Sequence, residues 1–178
     1  YYGNGSSARA TVTDSAYTAA MSDTSNWHNL TLVRNAPTNG TALYSDGEVY
    51  LDGNLIFTQV DKYVGTTVSS VKNIGFPASG TSYPYNGNLD EVSIWNSALT
   101  SSDITDIYNS GTPTTLPSGA LAHWKIGENS TFVGGNWTVE DVVGSNDGTS
   151  ANMTVEDRLG DAPNSTNNAV SLNMDEVD

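Results

Sequence analysis

The chain contains no cysteine. Disulfides, thiol catalysis and Cys-ligated zinc are therefore excluded. The compartment stays open, because an exported protein need not use disulfides. Basic residues are scarce: 6 Lys and Arg stand against 20 Asp and Glu, for a net charge of −14. Such a chain repels phosphate backbones and anionic headgroups, which argues against nucleic acid and against membrane insertion or adsorption. The plainer account of the acidity is solubility in a salty medium, where screening weakens self-repulsion. A site tuned for a cationic partner is the alternative. No apolar run is long enough to span a bilayer, and no signal peptide is visible.

Charge of either sign is low as well, at 15%, and hydrophobic residues make up 37%. Ser, Thr, Asn and Gly fill the deficit. That mixture suits strands joined by many turns, not helices, which favour Ala, Leu, Glu and Lys. The 178 residues allow one domain of ordinary size or one and a half small ones. The chain opens on "YYGNGS" without Met and stops at "MDEVD", which reads as a window on a longer polypeptide. The Asn-x-Ser/Thr triplets ("NLT", "NST", "NWT", "NMT") are what so much Asn, Ser and Thr produces by chance, and carry no inference of glycosylation.

Alternation predicts the strands. In "WHNLTLVRN", Trp27, Asn29, Thr31 and Val33 face one way, Leu30 and Leu32 the other. "ALYSDGEVYLDGNLIF" holds two Asp-Gly pairs, Asp46-Gly47 and Asp52-Gly53, and reads as a meander with a tight turn at each. "VKNIGF" is a further short strand, and "PASGTSYPYNG" a long loop. "GNLDEVSIW" alternates again, with Leu89, Glu91, Ser93 and Trp95 opposite Asp90, Val92 and Ile94.

One short helix follows directly, near 101–109. Thr100 with Asp103 forms a capping box, Asp replacing the usual Glu. Ile104, Ile107 and Tyr108 make one apolar stripe, Gly111 caps the end and Pro113 prevents continuation. About two turns are not stable alone, so the stripe must dock on a sheet, with Asp103 and Asp106 in solvent. "TPTTLPSG" (112–119) is a linker by composition. Beyond it, "ALAHWKIG" reads as a strand, "GSNDGTSANMT" as a turn-rich segment and "AVSLNM" as a last strand.

"WHNLTLV", "VYLDGNLI" and "GNLDEVSIWNSALTSSDITDIYNSG" together resemble the C-terminal half of a laminin-G-like module of the concanavalin A-like superfamily. The residues carrying the likeness are Trp27, His28, Tyr50, Asp52, Gly53, Gly87, Asp90, Glu91, Val92, Ala98, Leu99, Ile104 and Tyr108. "LAHWKIGEN", "VVGSNDGTSANMT" and "AVSLNMDEVD" resemble the opening of the same module. The resemblance implies an all-β antiparallel sandwich, a jelly roll, with the helix plugging one end. It divides the chain into 1–111, the end of one module; 112–119, the linker; and 120–178, the start of a second, incomplete one. The opening strand of a jelly roll pairs near its closing strand, so 121–126 should bond to a strand outside its own half, with Trp124 buried. The partner is either the first half or a neighbouring subunit. The short strings "NSGTP", "SANM" and "NMDEVD" look most like virion structural proteins of marine bacteriophages.

The superfamily includes glucanases, so hydrolysis has to be weighed. Their retaining site sets carboxylates as E-x-D-x-E on one strand face. Here Glu91 is followed by Ser93 and Trp95, Glu176 and Asp178 lack a third acid, and Glu140 and Asp141 are adjacent. Each set reads better as acids in a solvated strand end or turn. His28 and His123 sit beside Trp in strand patterns, in no triad string, and read as strand residues. No catalytic or metal-ligating residue is therefore assigned, and no cofactor. Calcium, which some laminin-G-like modules bind at the sandwich rim, stays open as an alternative, with loop residues such as Asp46, Asp52, Asp61, Asn146 and Asp147 available. For glycans the candidates are the loop aromatics Tyr83 and Tyr85; Trp27, Trp95 and Trp124 read as core. The expectation is a non-catalytic structural or adhesive module on an extracellular surface, a virion surface in particular. Its partners would be other subunits of the same assembly and possible surface glycans. The alternatives are a carbohydrate-binding module and a glycoside hydrolase.

Overall fold

The computed structural model describes residues 14–20, 22–41, 44–63, 74, 85–112, 116–150, 153–160 and 171–173. Its elements are strands in antiparallel pairs, with two short α-helices. The expected strand at 71–76 lies outside the described residues except Ile74. Two compact units form, each from two stretches: 1–69 with 97–115, and 70–96 with 116–178.

The first unit holds a three-stranded sheet of β1 (Leu30–Asn35), β2 (Tyr44–Leu51) and β3 (Asn54–Tyr63), in that order. A six-residue helix, α1 (Ser15–Ala20), precedes it. Alternation in β1 is as predicted: Val33 is buried, Leu30 and Leu32 are exposed. Asp52 and Gly53, at φ 50° and 76°, make the two-residue turn between β2 and β3. Asp46-Gly47 makes no turn. It lies inside β2, where the register with β3 shifts between Ser45 and Gly47. The Asp46 carboxylate there accepts from the Asp61 N–H (2.6 Å) and the Thr38 hydroxyl. A carboxylate that bridges a bulge thus replaces the turn that its sequence suggests.

Helix α2 (Ser101–Tyr108) belongs to this unit. Its capping box is complete: the Thr100 N–H donates to Asp103 Oδ2 (2.9 Å) and the Asp103 N–H to Thr100 Oγ1 (3.2 Å). Ile104 is fully buried against Val33, Tyr50 and Leu99. Ile107 and Tyr108 are half-buried rather than buried, Asp103 is half-buried and Asp106 exposed. Tyr108 lies over Gly53, where an added Cβ would stand 3.1 Å from its ring. Asn109, not Gly111, takes the left-handed cap position, at φ 39°. Thr100→Ala removes one half of the box and is expected to lower unfolding free energy by about 0.5–2 kcal/mol, read from the urea midpoint.

The second unit holds β4 (Asn88–Leu89) and β5 (Val92–Trp95) from one stretch. The other stretch supplies β6 (Ala120–Trp124), β7 (Ser130–Val133), β8 (Asn136–Val139), β9 (Gly148–Thr149), β10 (Arg158–Leu159) and β11 (Ser171–Asn173). β5 pairs with β6, β4 with β11, and β7, β8 and β9 form a meander. Residues 88–95 therefore find their hydrogen bonds in 120–124 and 171–173, and the compact units do not follow the division at 112–119. Of the two partners expected for 121–126, the structure supplies the one within this chain.

The core here is Ala122, Trp124, Ile126 and Trp137, with Leu89, Val92, Ile94, Phe132 and Val139 packed on it. Both indoles place their N–H: Trp124 Nε1 donates to the Asn146 carbonyl (2.9 Å), Trp137 Nε1 to that of Thr154 (2.6 Å). Trp27 and Trp95 are half-buried.

Candidate functional site

The predicted alternation of "GNLDEVSIW" breaks at its acids. Glu91 sits at φ +51°, a left-handed conformation that a non-glycine residue rarely adopts. The pleat restarts after it, so Leu89 packs on the same core as Val92 and Ile94 instead of opposite them. Asp90 and Glu91 are thereby displaced from the ladder. The Glu91 N–H donates to Asp90 Oδ1 at 2.8 Å.

Strand β6 and the loop after it bring the other polar groups. Ser93 pairs with His123, whose side chain is buried. His123 Nε2 donates to Glu91 Oε2 at 2.6 Å. Glu128 follows in the loop before β7 and joins Asp90 and Glu91. One ligand atom from each of the three carboxylates lies within 4.8 Å of the other two, the only such group among the described residues. Burial, then the nearby charges of Glu128 and Glu91, push the Asp90 carboxyl up to about 8; the Glu91 N–H and Lys125 offset this only in part. At neutral pH Asp90 therefore keeps its proton.

Asp141 is the second polar centre of this unit. Expected as a solvated acid, it is buried, because donors surround it. Its Oδ1 accepts from the N–H of His123 (2.9 Å), Val143 (3.2 Å) and Gly144 (2.9 Å). Its Oδ2 accepts from the backbone and side-chain nitrogens of Asn146, both at 3.1 Å. Burial alone would push this carboxyl up; the Gly144, His123 and Asn146 donors hold it well below the ordinary carboxylate range. Its own N–H donates to Asp147 Oδ1 (3.0 Å). Through His123 the Asp141 turn is hydrogen-bonded to Glu91 and, through the Glu91 N–H, to Asp90.

The candidates from sequence fare unevenly. Tyr83, Glu176 and Asp178 lie outside the described residues. Tyr85 is exposed at 43%, its hydroxyl donating to the Asn88 carbonyl (3.2 Å). His28 is tied to the hairpin: its Nδ1 lies 2.8 Å from Asp52 Oδ2, while the Asn29 N–H donates to Asp52 Oδ1 at 2.8 Å. Asp46, Asp52, Asp61, Asn146 and Asp147 all hold turns or bulges in the ways given above or, for Asp61, by accepting the Asn39 N–H. None of them belongs to the carboxylate cluster. Glu128 was not singled out in the sequence. Its only signal was an acid in the glycine-bearing loop after "LAHWKIG", and that does not say which strand faces it.

The Laminin_G_3 family model, described as the concanavalin A-like lectin/glucanases superfamily, matches residues 1–105. No curated protein and no solved structure matches the chain.

Proposed function

From the premise that this chain belongs to the concanavalin A-like lectin/glucanases superfamily, an all-β sandwich fold, we propose that it is a non-catalytic structural or adhesive module of an extracellular surface. The observation that carries this reading is the arrangement of the acids. A retaining site of the E-x-D-x-E type sets its carboxylates at alternate positions on one face of a strand. Asp90 and Glu91 are instead adjacent in the chain and displaced from the ladder, and Ser93 and Trp95 stand where the strand would carry further acids.

Contact surfaces support the structural role. Leu30, Leu32, Leu55 and Val60 are exposed on the strands of the first unit, at 43–64%. Apolar side chains presented on a sheet suit association with other subunits. The short strings named above favour a bacteriophage virion as that assembly, an appendage, fibre or decoration. Exposed Tyr85 favours glycan binding as the second reading.

Incubation of the protein with β-glucans and marine polysaccharides is expected to release no reducing sugar. Turnover that disappears on Glu91→Gln would establish a hydrolase instead. Light scattering and electron microscopy should find the chain in an assembled state; a strict monomer that binds a polysaccharide through Tyr85 would favour the glycan-binding module.

A further inference from the structure

The structure assigns Asn39 as a site of spontaneous deamidation, with the backbone nitrogen of Gly40 as nucleophile and water as the only co-reactant. The pair lies in the turn after β1, where Asn39, Gly40 and Thr41 are all exposed. Three features of that turn carry the inference. Gly40 has no side chain to shield its nitrogen, and it sits at φ 68°, a left-handed conformation that favours glycine. The Asn39 side chain is folded back along the chain, its Oδ1 accepting the Thr41 N–H at 2.8 Å. That bond closes a ring across the Gly40 peptide. It also sets a donor on the oxygen that turns negative when the nitrogen adds to Cγ. The third feature is anchorage: the Asn39 N–H donates to Asp61 Oδ1 at 2.9 Å, which holds the turn in this geometry. The Gly40 N–H meets only the Pro37 carbonyl, at 3.1 Å, an exposed bond that water can replace.

In the reaction the Gly40 nitrogen gives its proton to solvent and bonds to Asn39 Cγ. The Cγ–Nδ2 bond breaks, and ammonia leaves with a proton taken from solvent, so a cyclic imide closes. Water then opens the imide at either carbonyl. One product is an ordinary aspartate. In the other the main chain runs through the β-carbon and gains a methylene. Both carry a new negative charge, and it falls in an acidic place. Asp61 holds the Asn39 N–H, and Asp46 accepts from the Thr38 hydroxyl and the Asp61 N–H. Like charges repel, so the modification loosens the clamp between this turn and the β2–β3 bulge. Ammonia escapes, and the change accumulates in one direction. The other Asn-Gly pair among the described residues is less well disposed. Asn86 is exposed, but no described donor holds its side chain, and the Tyr85 hydroxyl stands 3.2 Å from a Cβ placed on Gly87. Asp46, Asp52 and Asp147 also precede glycine, but their carboxylates accept hydrogen bonds from backbone N–H groups, and an ionised carboxylate is a poor electrophile.

The test ages the whole chain in mildly alkaline buffer and maps samples by trypsin and mass spectrometry. Cleavage after Arg34, Lys62, Lys72 and Lys125 puts Asn39 and Asn86 on different peptides. The Asn39 peptide should gain the mass difference between OH and NH2, and part of it should become a substrate for an isoaspartate methyltransferase. In the native protein Asn39 should convert severalfold faster than Asn86. In urea, where only the dipeptide chemistry remains, the two rates should converge. A Cβ at Gly40 meets nothing within 4 Å, so Gly40→Ala fits the space while hindering attack, and conversion at Asn39 should nearly vanish. Circular dichroism checks that each variant keeps the fold. The melting temperature of the aged parent should fall, while Asn39→Gln should melt alike fresh and aged. An aged parent with Asn39 intact would overturn the proposal. So would a rate ratio that is the same in urea as in the native protein, since the turn would then have no part in it. An unchanged melting temperature after full conversion would reject the loosened clamp.

Discussion

Asp141→Ala is expected to be among the most damaging single changes in this protein, costing on the order of 3–5 kcal/mol. Hydrogen bonds to a charged acceptor contribute about 1.5–3 kcal/mol each, and stranded buried donors add to the loss. Asp141 is 3% exposed and gathers donors from His123, Val143, Gly144 and Asn146. The His123 N–H would lose its acceptor inside the core strand. Asp141→Asn should be nearly as harmful, since its amide turns one acceptor into a donor facing other donors. The same residue sets an acid limit. Its carboxyl lies below the ordinary range in the folded protein, so the folded form stays ionised where an unfolded aspartate, near 3.9, already takes up a proton. The contribution is full above about pH 5 and is lost progressively as pH falls. Urea melts at pH 7, 5, 4 and 3 should show this decline in the parent and a flatter profile in Asp141→Asn. Equal slopes would show that Asp141 is not the acid that governs it.

Ile104→Ala should cost about 2–5 kcal/mol, the range for emptying a fully buried aliphatic site. Ile104 has no exposed surface and touches both core strands of its unit through Val33 and Tyr50. Ile107 is half-buried, so Ile107→Ala should cost clearly less. Guanidinium unfolding of both variants makes the comparison. Equal losses would mean that the helix docks through its whole stripe and not through one anchoring side chain.

The residues that could be read from sequence are those whose partners lie close along the chain. Thr100 and Asp103 are three apart and complete each other locally. Asp52-Gly53 needs only its own dihedrals to turn the chain. Thr31 and Val33 declare their face by period alone. Asp46-Gly47 carries the same local signal as a turn, yet the bulge opposite, at Asp61, decides its fate. The break at Glu91 left no mark at all, because nothing in "LDEVSIW" distinguishes a left-handed glutamate from an extended one. Asp141 reads as a surface acid because it sits beside Glu140 and just before the turn-rich run from Gly144. What buries it is the turn through Gly144 and Asn146 together with a donor from another strand. The carboxylate cluster was hidden for the same reason: Glu128 meets Asp90 and Glu91 only after β5 and β6 have paired.

That pairing bears on how such a protein can be inherited. Each compact unit is stitched from two separated stretches of chain. A recombination breakpoint in 112–119, where composition suggests a harmless seam, would hand β5 to one descendant and β6 to another. Each would carry an open ladder, with bare N–H and C=O groups along Val92–Trp95 or Ala120–Trp124. Lineages that trade cassettes should therefore keep 88–124 together as one heritable block, although the seam lies inside it.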